Sequence, residues 1–490
     1  MLKIDSRSRQ ALYNVDATRR IERAAQAALP PHTLMQRAGL AMAQLALALT
    51  PHARRIWIAC GPGNNGGDGL EAAMHLQRWG KLPVVTWLGS LDKAPPDAAA
   101  SYQRAFEAGV AFAETPPDDY DLSIDALLGI GADVRAPEGR MAHWINLMNA
   151  GTPPVLAVDL PTGLHADTGV VAQHSVKAWH TLSLLTLKPG LFTAHGRDAA
   201  GTVWLDDLDT AHNTAANEST ATPTAWLAGA PLAAARLHAS HKGSYGDVVV
   251  VGGAAGMTGA ALLAASAALY GGAGRVFVGL LDGGSMAVDA SQPELMFRPV
   301  DALDFSAMTT VCGCGGGDAV RGPLPRILST STNVVIDADA INMIAIDSQL
   351  QTLLMARGKR LAATVLTPHP LEAARLLGIT AMQVQHDRLA AAQQLAQRFG
   401  CTVVLKGSGT VIAAPGQIPV INSTGNALLA TAGTGDVLAG MVGARLASGL
   451  DAFAAACQTV YRHGLAADQW PAGSTLVAGS LARRQAPSGD

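Results

Sequence analysis

The run Thr431-Ala432-Gly433-Thr434-Gly435-Asp436 places small residues and a carboxylate at the start of an apolar helical pattern, Val437-Leu438-Ala439-Gly440-Met441-Val442. Small residues there let backbone N–H groups approach an anion, and the helix dipole favours negative charge at that end. A phosphate held by those amides would repel Asp436, so the carboxylate is poorly suited to binding it. It is well suited to taking a proton from a hydroxyl that attacks the phosphate. The alternative is that Asp436 caps the helix.

Other strand ends in the same half carry matching chemistry. Lys406, ahead of Gly407-Ser408-Gly409-Thr410, either faces phosphates or lies solvated on the surface. His369, in Thr367-Pro368-His369-Pro370, is a helix-entry cap or a substrate contact. Asp337 and Asp339 follow the run Val334-Val335-Ile336 and suit magnesium, substrate hydroxyls or a helix cap.

The first half has its own cluster. Arg55–Cys60 reads as a strand, Gly61–Gly69 as a loop and Leu70–Trp79 as a helix, with Gly61, Gly63 and Gly66 in the spacing G-x-G-x-x-G. A dinucleotide-like ligand near that helix start is expected. A redox dinucleotide fits less well, because Asp68 sits where pyrophosphate would lie and the next strand ends in Gly89-Ser90-Leu91 without an acid for the ribose. Asn-Asn-Gly-Gly-Asp is instead rich in oxygen acceptors, suited to a cation or polar nucleotide groups. Two further strands end in Asp125, before Gly129-Ile130-Gly131-Ala132-Asp133-Val134-Arg135, and in Asp159, before Leu160-Pro161-Thr162-Gly163. In an open parallel sheet, Asn65, Asp125, Asp159 and Thr162 would converge at the carboxyl edge.

These residues need two scaffolds. A chain of 490 residues exceeds one ordinary core, and 49% hydrophobic with 15% charged residues suits well-buried α/β domains rich in tight turns. Residues 10–49 read as two helices broken at Leu29-Pro30-Pro31, the second presenting Leu34, Met35, Ala38, Ala41, Met42 and Leu45 to a core. Strands alternate with helices in both halves, implying mostly parallel sheets flanked by helices. The stretch Asp206–Pro223 lacks apolar periodicity and is the linker candidate.

The net charge of −3 carries no signature of a nucleic-acid surface, and no run of about 18 apolar residues suggests a membrane span. The polar N-terminus shows no secretory signal, so a cytoplasmic protein is expected. The five scattered cysteines read mostly as small buried hydrophobes in a reducing compartment; Cys312-Gly313-Cys314 lacks the second ligand pair of a zinc site.

The run Leu34-Met35-Gln36-Arg37-Ala38-Gly39, the loop Gly61–Gly69, Asp125-Ala126-Leu127-Leu128-Gly129 and Asp159–Leu164 together resemble the NAD(P)H-hydrate epimerase domain family over about residues 10–208. That resemblance implies that Asn64, Asn65, Gly66, Gly67, Asp68 and the loop Gly129, Ile130, Gly131, Ala132, Asp133, Val134, Arg135 contact the hydrated nucleotide. It implies a potassium ion on Asn65, Asp125 and Thr162, and substrate contact by Asp159. The family commonly has Ser where Thr162 stands, and the hydroxyl oxygen survives that change.

His241-Lys242-Gly243, Gly252-Gly253 with Gly259-Ala260, Asp337–Asn342, Thr367–Glu372, Leu405-Lys406-Gly407 and Gly433–Gly440 occur in order and resemble the NAD(P)H-hydrate dehydratase family, of the ribokinase-like superfamily, over about residues 226–485. The implied hydrate contacts are Ala260, Gly317 and its loop from Gly315, His369 and Asp436. Lys406, Gly407, Ser408, Gly409, Thr410 and Gly435 would contact the adenine nucleotide, ADP or ATP, with magnesium. Family members usually show Gly-Pro-Gly-Leu-Gly where this chain has Gly313-Cys314-Gly315-Gly316-Gly317.

The expected architecture is therefore a Rossmann-like three-layer epimerase domain over 1–210, a linker over 211–225 and a ribokinase-like three-layer dehydratase domain over 226–490. Catalysis would rest on Asp436 and, in the first half, on Asp159. NADH and NADPH hydrates are the expected substrates, and a homo-oligomer the expected assembly. Two alternatives stay open: a ribokinase-like small-molecule kinase with a nucleotide-binding N-terminal domain, and a non-catalytic nucleotide sensor.

Overall fold

The computed structural model describes residues 1–131, 136–210, 221–232 and 238–484. It divides into two compact units, one of Met1–Asp5 with Gln10–Trp226, the other of Ser6–Arg9 with Leu227–Asp490.

In the first unit the strand order is Leu2–Lys3, Thr202–Asp206, His180–Leu184, Val155–Val158, Leu122–Ala126, Arg55–Cys60, Leu82–Trp87, Ala111–Ala113. Every neighbouring pair is parallel except the one made by Leu2–Lys3. Side chains alternate across the pleat. Ile56, Ile58 and Cys60 accordingly pack into one core with the helices Thr33–Leu49 and Asn64–Arg78. Trp57 and Ala59 enter a separate core against the helix Gly139–Ala150. The unit is thus three layers, as the sequence led us to expect, and the helices on either side of Pro30 run Val15–Ala28 and Thr33–Leu49.

One boundary differs. The helix after Gly63 begins at Asn64, not Leu70. Gly61, Gly63, Gly66 and Gly67 also lack the positive φ that a glycine loop would suggest. Three of them serve close approach instead: a Cβ would lie 1.8 Å from the Leu127 oxygen on Gly61, 2.0 Å from the Gly61 oxygen on Gly66 and 2.6 Å from Met35 Sδ on Gly67. The helix start is pressed against the strand end, which only glycine permits.

In the second unit the sheet runs Met296–Phe297, Arg275–Leu280, Asp247–Gly252, Thr309–Cys312, Asn333–Ile336, Thr364–Leu366, Thr402–Leu405, Val411–Ala413, Val420–Ile421. The pairs are parallel up to Thr402–Leu405, and the last two strands return antiparallel. The helices Thr258–Tyr270 and Thr434–Ala447 pack against each other so closely that a Cβ on Gly440 would meet the Ala264 oxygen at 2.0 Å. Among the described residues no helix is long and apolar enough to cross a membrane.

Two candidate active sites

The first site forms where the strand order reverses, so that neighbouring loops leave the sheet in opposite directions and open a crevice; the second extends from such a reversal along the carboxyl edge of its sheet. In the first unit the reversal lies between Arg55–Cys60 and Leu122–Ala126, whose ends are stitched by the Gly61 N–H donating to the Ala126 oxygen at 2.9 Å. A cavity of about 520 Å³ opens there. Its walls include Asn64, Asn65 and Asp68 from the helix start, Gly129, Ile130 and Gly131 after the second strand, and Asp159 after the third. Ala132, Asp133, Val134 and Arg135 lie outside the described residues.

Asp125 is fully buried at the strand end. Its carboxylate accepts from the Thr162 N–H at 2.7 Å, the Thr162 hydroxyl at 2.7 Å and the Leu127 N–H at 3.2 Å. Burial nevertheless raises its pKa to about 6, with the Thr162 contacts pulling in the other direction. Thr162 also accepts from the Leu128 N–H at 3.0 Å, so this hydroxyl ties two strand ends together. Asn65 comes beside Gly129 and Asp159: a Cβ on Gly129 would lie 3.0 Å from Asn65 Oδ1 and 3.4 Å from Asp159 Oδ2. Asn65 Nδ2 is buried with no hydrogen-bond partner, which a native interior rarely tolerates unless a ligand completes it.

Asp159 has φ 65, a left-handed conformation that Asp tolerates better than most residues. The turn aims its carboxylate at Lys188, whose ammonium donates to Asp159 Oδ1, to the Leu184 oxygen at 2.9 Å and to Ser183 Oγ at 3.3 Å. Lys188 is 0% exposed. Asp68 is held well above the usual carboxylate range by burial and by the charges of Asp159 and Glu22. Glu22 is raised too, by burial and then by Asp159. Glu22 and Lys188 line the cavity, and sequence reasoning had named neither. Lys188 left one signal, a single cation ending the strand-like run Leu182–Leu187; Glu22 left none within its charged helix.

In the second unit the reversal lies between Asp247–Gly252 and Thr309–Cys312. The register aligns Cys312, Ile336 and Leu366, so Gly313, Asp337 and Thr367 leave the sheet side by side. Asp337 stands at a helix start but makes no capping bond. It is 1% exposed, and its Oδ1 accepts from Lys406 Nζ at 2.8 Å and from the Thr367 hydroxyl at 2.6 Å. Burial pulls Lys406 down, but Asp337 and Glu372 outweigh it and leave the ammonium firmly protonated. Lys406 is therefore not a solvated surface lysine: its side chain is 20% exposed and paired with Asp337. A Cβ on Gly435 would lie 3.4 Å from Lys406 Nζ, which sets the ammonium beside the helix start at Gly433.

The cap of that helix is Gly433, with φ 87, and Asp436 occupies its first turn. Burial and the charge of Asp337 raise Asp436 to about 6, against opposing pulls from Cys314 and Lys406. The helix start is braced from below by buried His463, whose ring lies 3.0 Å from the Thr434 oxygen. Burial lowers that imidazole to about 4, so it is neutral and its Nε2–H donates. The turn after Lys406 is braced by Arg388, 1% exposed, which donates to the Leu405 and Lys406 oxygens at 3.1 and 3.2 Å. The Arg388 guanidinium fills the space a Cβ on Gly407 would need, at 2.9 Å. Gly407–Thr410 then turns the chain between the antiparallel strands, closed by the Thr410 hydroxyl on the Gly407 oxygen at 3.0 Å.

His369 is a cap: Nδ1 accepts from the Leu371 and Glu372 N–H groups at 3.1 and 3.3 Å, while Glu372 accepts the His369 N–H at 2.7 Å. Its Nε2 lies 3.2 Å from Glu372 Oε1. Burial and Lys406 lower His369, and burial raises Glu372 to about 7. Asp339 accepts the Gly317 N–H at 2.9 Å and pins the glycine loop, whose Gly315 crowds Ala260: a Cβ on Gly315 would meet the Ala260 Cβ at 2.8 Å.

Four of the five cysteines are buried, in keeping with the expectation for most of them. Cys60, Cys312 and Cys401 are buried in the core, but Cys314 faces polar groups, its thiol directed at Asp337 Oδ2 at 3.9 Å.

An α/β chain with two separate polar sites, each starting at a switch point and lined by glycine, belongs to the class of two-domain nucleotide-handling proteins. Residues 31–190 match the family of the YjeF-related protein N-terminus, and residues 248–486 match the NAD(P)H-hydrate dehydratase family. The bifunctional NAD(P)H-hydrate repair enzyme Nnr of Escherichia coli is 36% identical, over 93% of this chain and 89% of its own length. The ADP-dependent (S)-NAD(P)H-hydrate dehydratase of Neisseria meningitidis is 48% identical over 52% of this chain and 87% of its own. A crystal structure of the Bacillus subtilis ADP/ATP-dependent NAD(P)H-hydrate dehydratase with ATP/Mg2+ is 30% identical, covering 51% of this chain and 91% of that one at a TM-score of 0.44. The chain belongs to the family of bifunctional NAD(P)H-hydrate repair enzymes.

Proposed function

We propose that residues 1–210 interconvert the R and S hydrates of NADH and NADPH, and that residues 226–490 dehydrate the S form at the expense of ADP or ATP, with 211–225 as linker. The observation that carries the reading is the group Asp436, Asp337 and Lys406 at the carboxyl edge of the second sheet, beside the start of the helix Thr434–Ala447.

Hydroxide leaves carbon poorly and phosphate leaves well. Asp436 takes the proton of the hydrate hydroxyl as its oxygen attacks the terminal phosphoryl group, and the nucleotide loses one phosphate. The phosphorylated carbon–oxygen bond then breaks, the adjacent ring carbon gives up a proton, and the double bond of the reduced nicotinamide returns. Lys406 supplies fixed positive charge, and the N–H groups from Gly433 to Gly435 cradle the phosphates. Gly407, Ser408, Gly409 and Thr410 face the nucleotide; Ala260, Gly317 and His369 face the hydrate. Magnesium carried with the nucleotide would neutralise phosphate charge, and the hard carboxylate oxygens of Asp337 and Asp339 suit it.

In the first unit, Asn65, Asp125 and Thr162 offer oxygen ligands that suit potassium, and the orphaned amide of Asn65 supports a missing group there. With that amide turned over, its oxygen would face the ion. Held there, potassium would supply positive potential near the bound nucleotide. Asn64, Gly66, Gly67, Asp68 and Gly129 to Arg135 contact the substrate, and Asp159, oriented by Lys188, moves the proton of epimerisation. The protein acts in the cytoplasm as a homo-oligomer, the latter checked by its mass in solution.

The test supplies mixed NADH hydrates with ADP or ATP and follows the return of reduced-nicotinamide absorbance. Complete recovery is expected, because epimerisation feeds the R form to the dehydratase; no recovery with either nucleotide overturns the reading.

A further inference from the structure

The glycine loop at Gly313–Gly317 is held on both flanks, by the Gly253 N–H on the Cys314 oxygen at 3.0 Å and by the Gly317 N–H on Asp339 at 2.9 Å. So held, it turns the Cys314 side chain inward, where it is 0% exposed. Asp337 spends Oδ1 on Lys406 and Thr367, and its Oδ2 is left on the cysteine side. One sulfur and one oxygen from each of Asp337 and Asp436, delivered by three separate segments, all lie within 4.8 Å of one another.

We propose that Cys314, Asp337 and Asp436 form an inhibitory site for a thiophilic divalent cation of the zinc class. A tetrahedral zinc ion with sulfur at about 2.3 Å and oxygen at about 2.1 Å sets them about 3.6 Å apart. The separation of Cys314 Sγ and Asp337 Oδ2, 3.9 Å, needs a shift of only a few tenths of an ångström. Sulfur is the discriminating ligand, since thiolate selects zinc or cadmium over magnesium. Charge also balances: a thiolate and two carboxylates carry three negative charges, offset by the dication and by Lys406. Each cation bound releases the Cys314 proton to solvent, and a water or phosphate oxygen takes the fourth position.

Inhibition follows because the cation occupies Asp436, a step that rests on the proposed role of that residue; the metal site itself rests on geometry. This is where the chain departs from Gly-Pro-Gly-Leu-Gly, since a proline at Cys314 would offer no ligand.

Cadmium is the probe for binding, read by its thiolate absorption in the substrate-free full chain carrying Cys457→Ser, which removes the half-buried thiol. The band and one released proton are expected at one equivalent, and both should vanish in Cys314→Ser. Zinc should inhibit dehydration with a half-inhibitory concentration at least tenfold lower in the parent than in Cys314→Ser. Cys314→Ala gives the same comparison should the serine variant not fold. An equal band in parent and variant, or no band, overturns the site. A band without zinc inhibition overturns the inhibitory role, while failure of the proposed function shows separately as an active Asp436→Asn variant.

Discussion

Lys406 Nζ donates to Oδ1 of Asp337 at 2.8 Å, joining the ends of two strands between which Thr364–Leu366 intervenes. The pair fixes an ammonium at the carboxyl edge of the sheet, and it gives a buried carboxylate the counter-charge it needs.

Removing one partner should therefore cost more than binding. Lys406→Met is expected to lower stability by about 3–5 kcal/mol, because Asp337 is left buried and unpaired. Lys406→Met combined with Asp337→Asn should recover much of that loss without recovering nucleotide affinity. Denaturant unfolding and nucleotide titration of both variants separate the two effects.

Asp436→Asn should reduce dehydration by about 10²–10⁴-fold, the usual worth of a general base, and leave hydrate interconversion intact. With its pKa near 6, Asp436 is ionised above that value, so kcat/KM should rise about tenfold per unit from pH 4.5 to 5.5 and level off above 7. A flat profile in that range would remove Asp436 as the base.

The proposed potassium site is testable through the stability contribution of Asp125. Its folded pKa of about 6 lies above the unfolded value of about 3.9. Between these values the native state holds the extra proton, so stability falls as pH rises from about 4 to about 6. A cation beside the carboxylate offsets that loss. Potassium should raise the melting temperature at pH 7 and have little effect at pH 4, with choline as the ionic-strength control. Thr162→Ser should keep the response and Thr162→Val should lose it.

The glycines after the first strand make unequal demands. Gly66→Ala brings a methyl against the Gly61 oxygen and should cost about 1–3 kcal/mol or more. A Cβ on Gly63 meets nothing within 4 Å, so Gly63→Ala should cost under about 1 kcal/mol despite its place in the motif. Thermal unfolding of the two variants provides the comparison.

The strand ends were legible because apolar β-branched runs stop abruptly at Gly or Asp, and those residues fall on the carboxyl edge of a parallel sheet. The start of the helix at Asn64 was not, because sequence does not distinguish a glycine needed for positive φ from one needed for close packing. Asp337 was ambiguous for a related reason: a capping aspartate and a buried anion both follow a strand, and only the arrival of Lys406, distant in the chain, tells them apart. Arg388, His463 and Lys188 were missed because each sits alone among apolar or helical neighbours and acquires its role only through tertiary contact.

The left-handed turn at Asp159 decides how that residue is best interrogated. Asparagine is at home in such a backbone conformation, whereas alanine is not. Asp159→Asn thus removes the charge and keeps the main-chain path, whereas Asp159→Ala would mix lost proton transfer with a misdirected loop. Of the two other residues most at ease in that conformation, asparagine and glycine, only the first offers a side chain to Lys188.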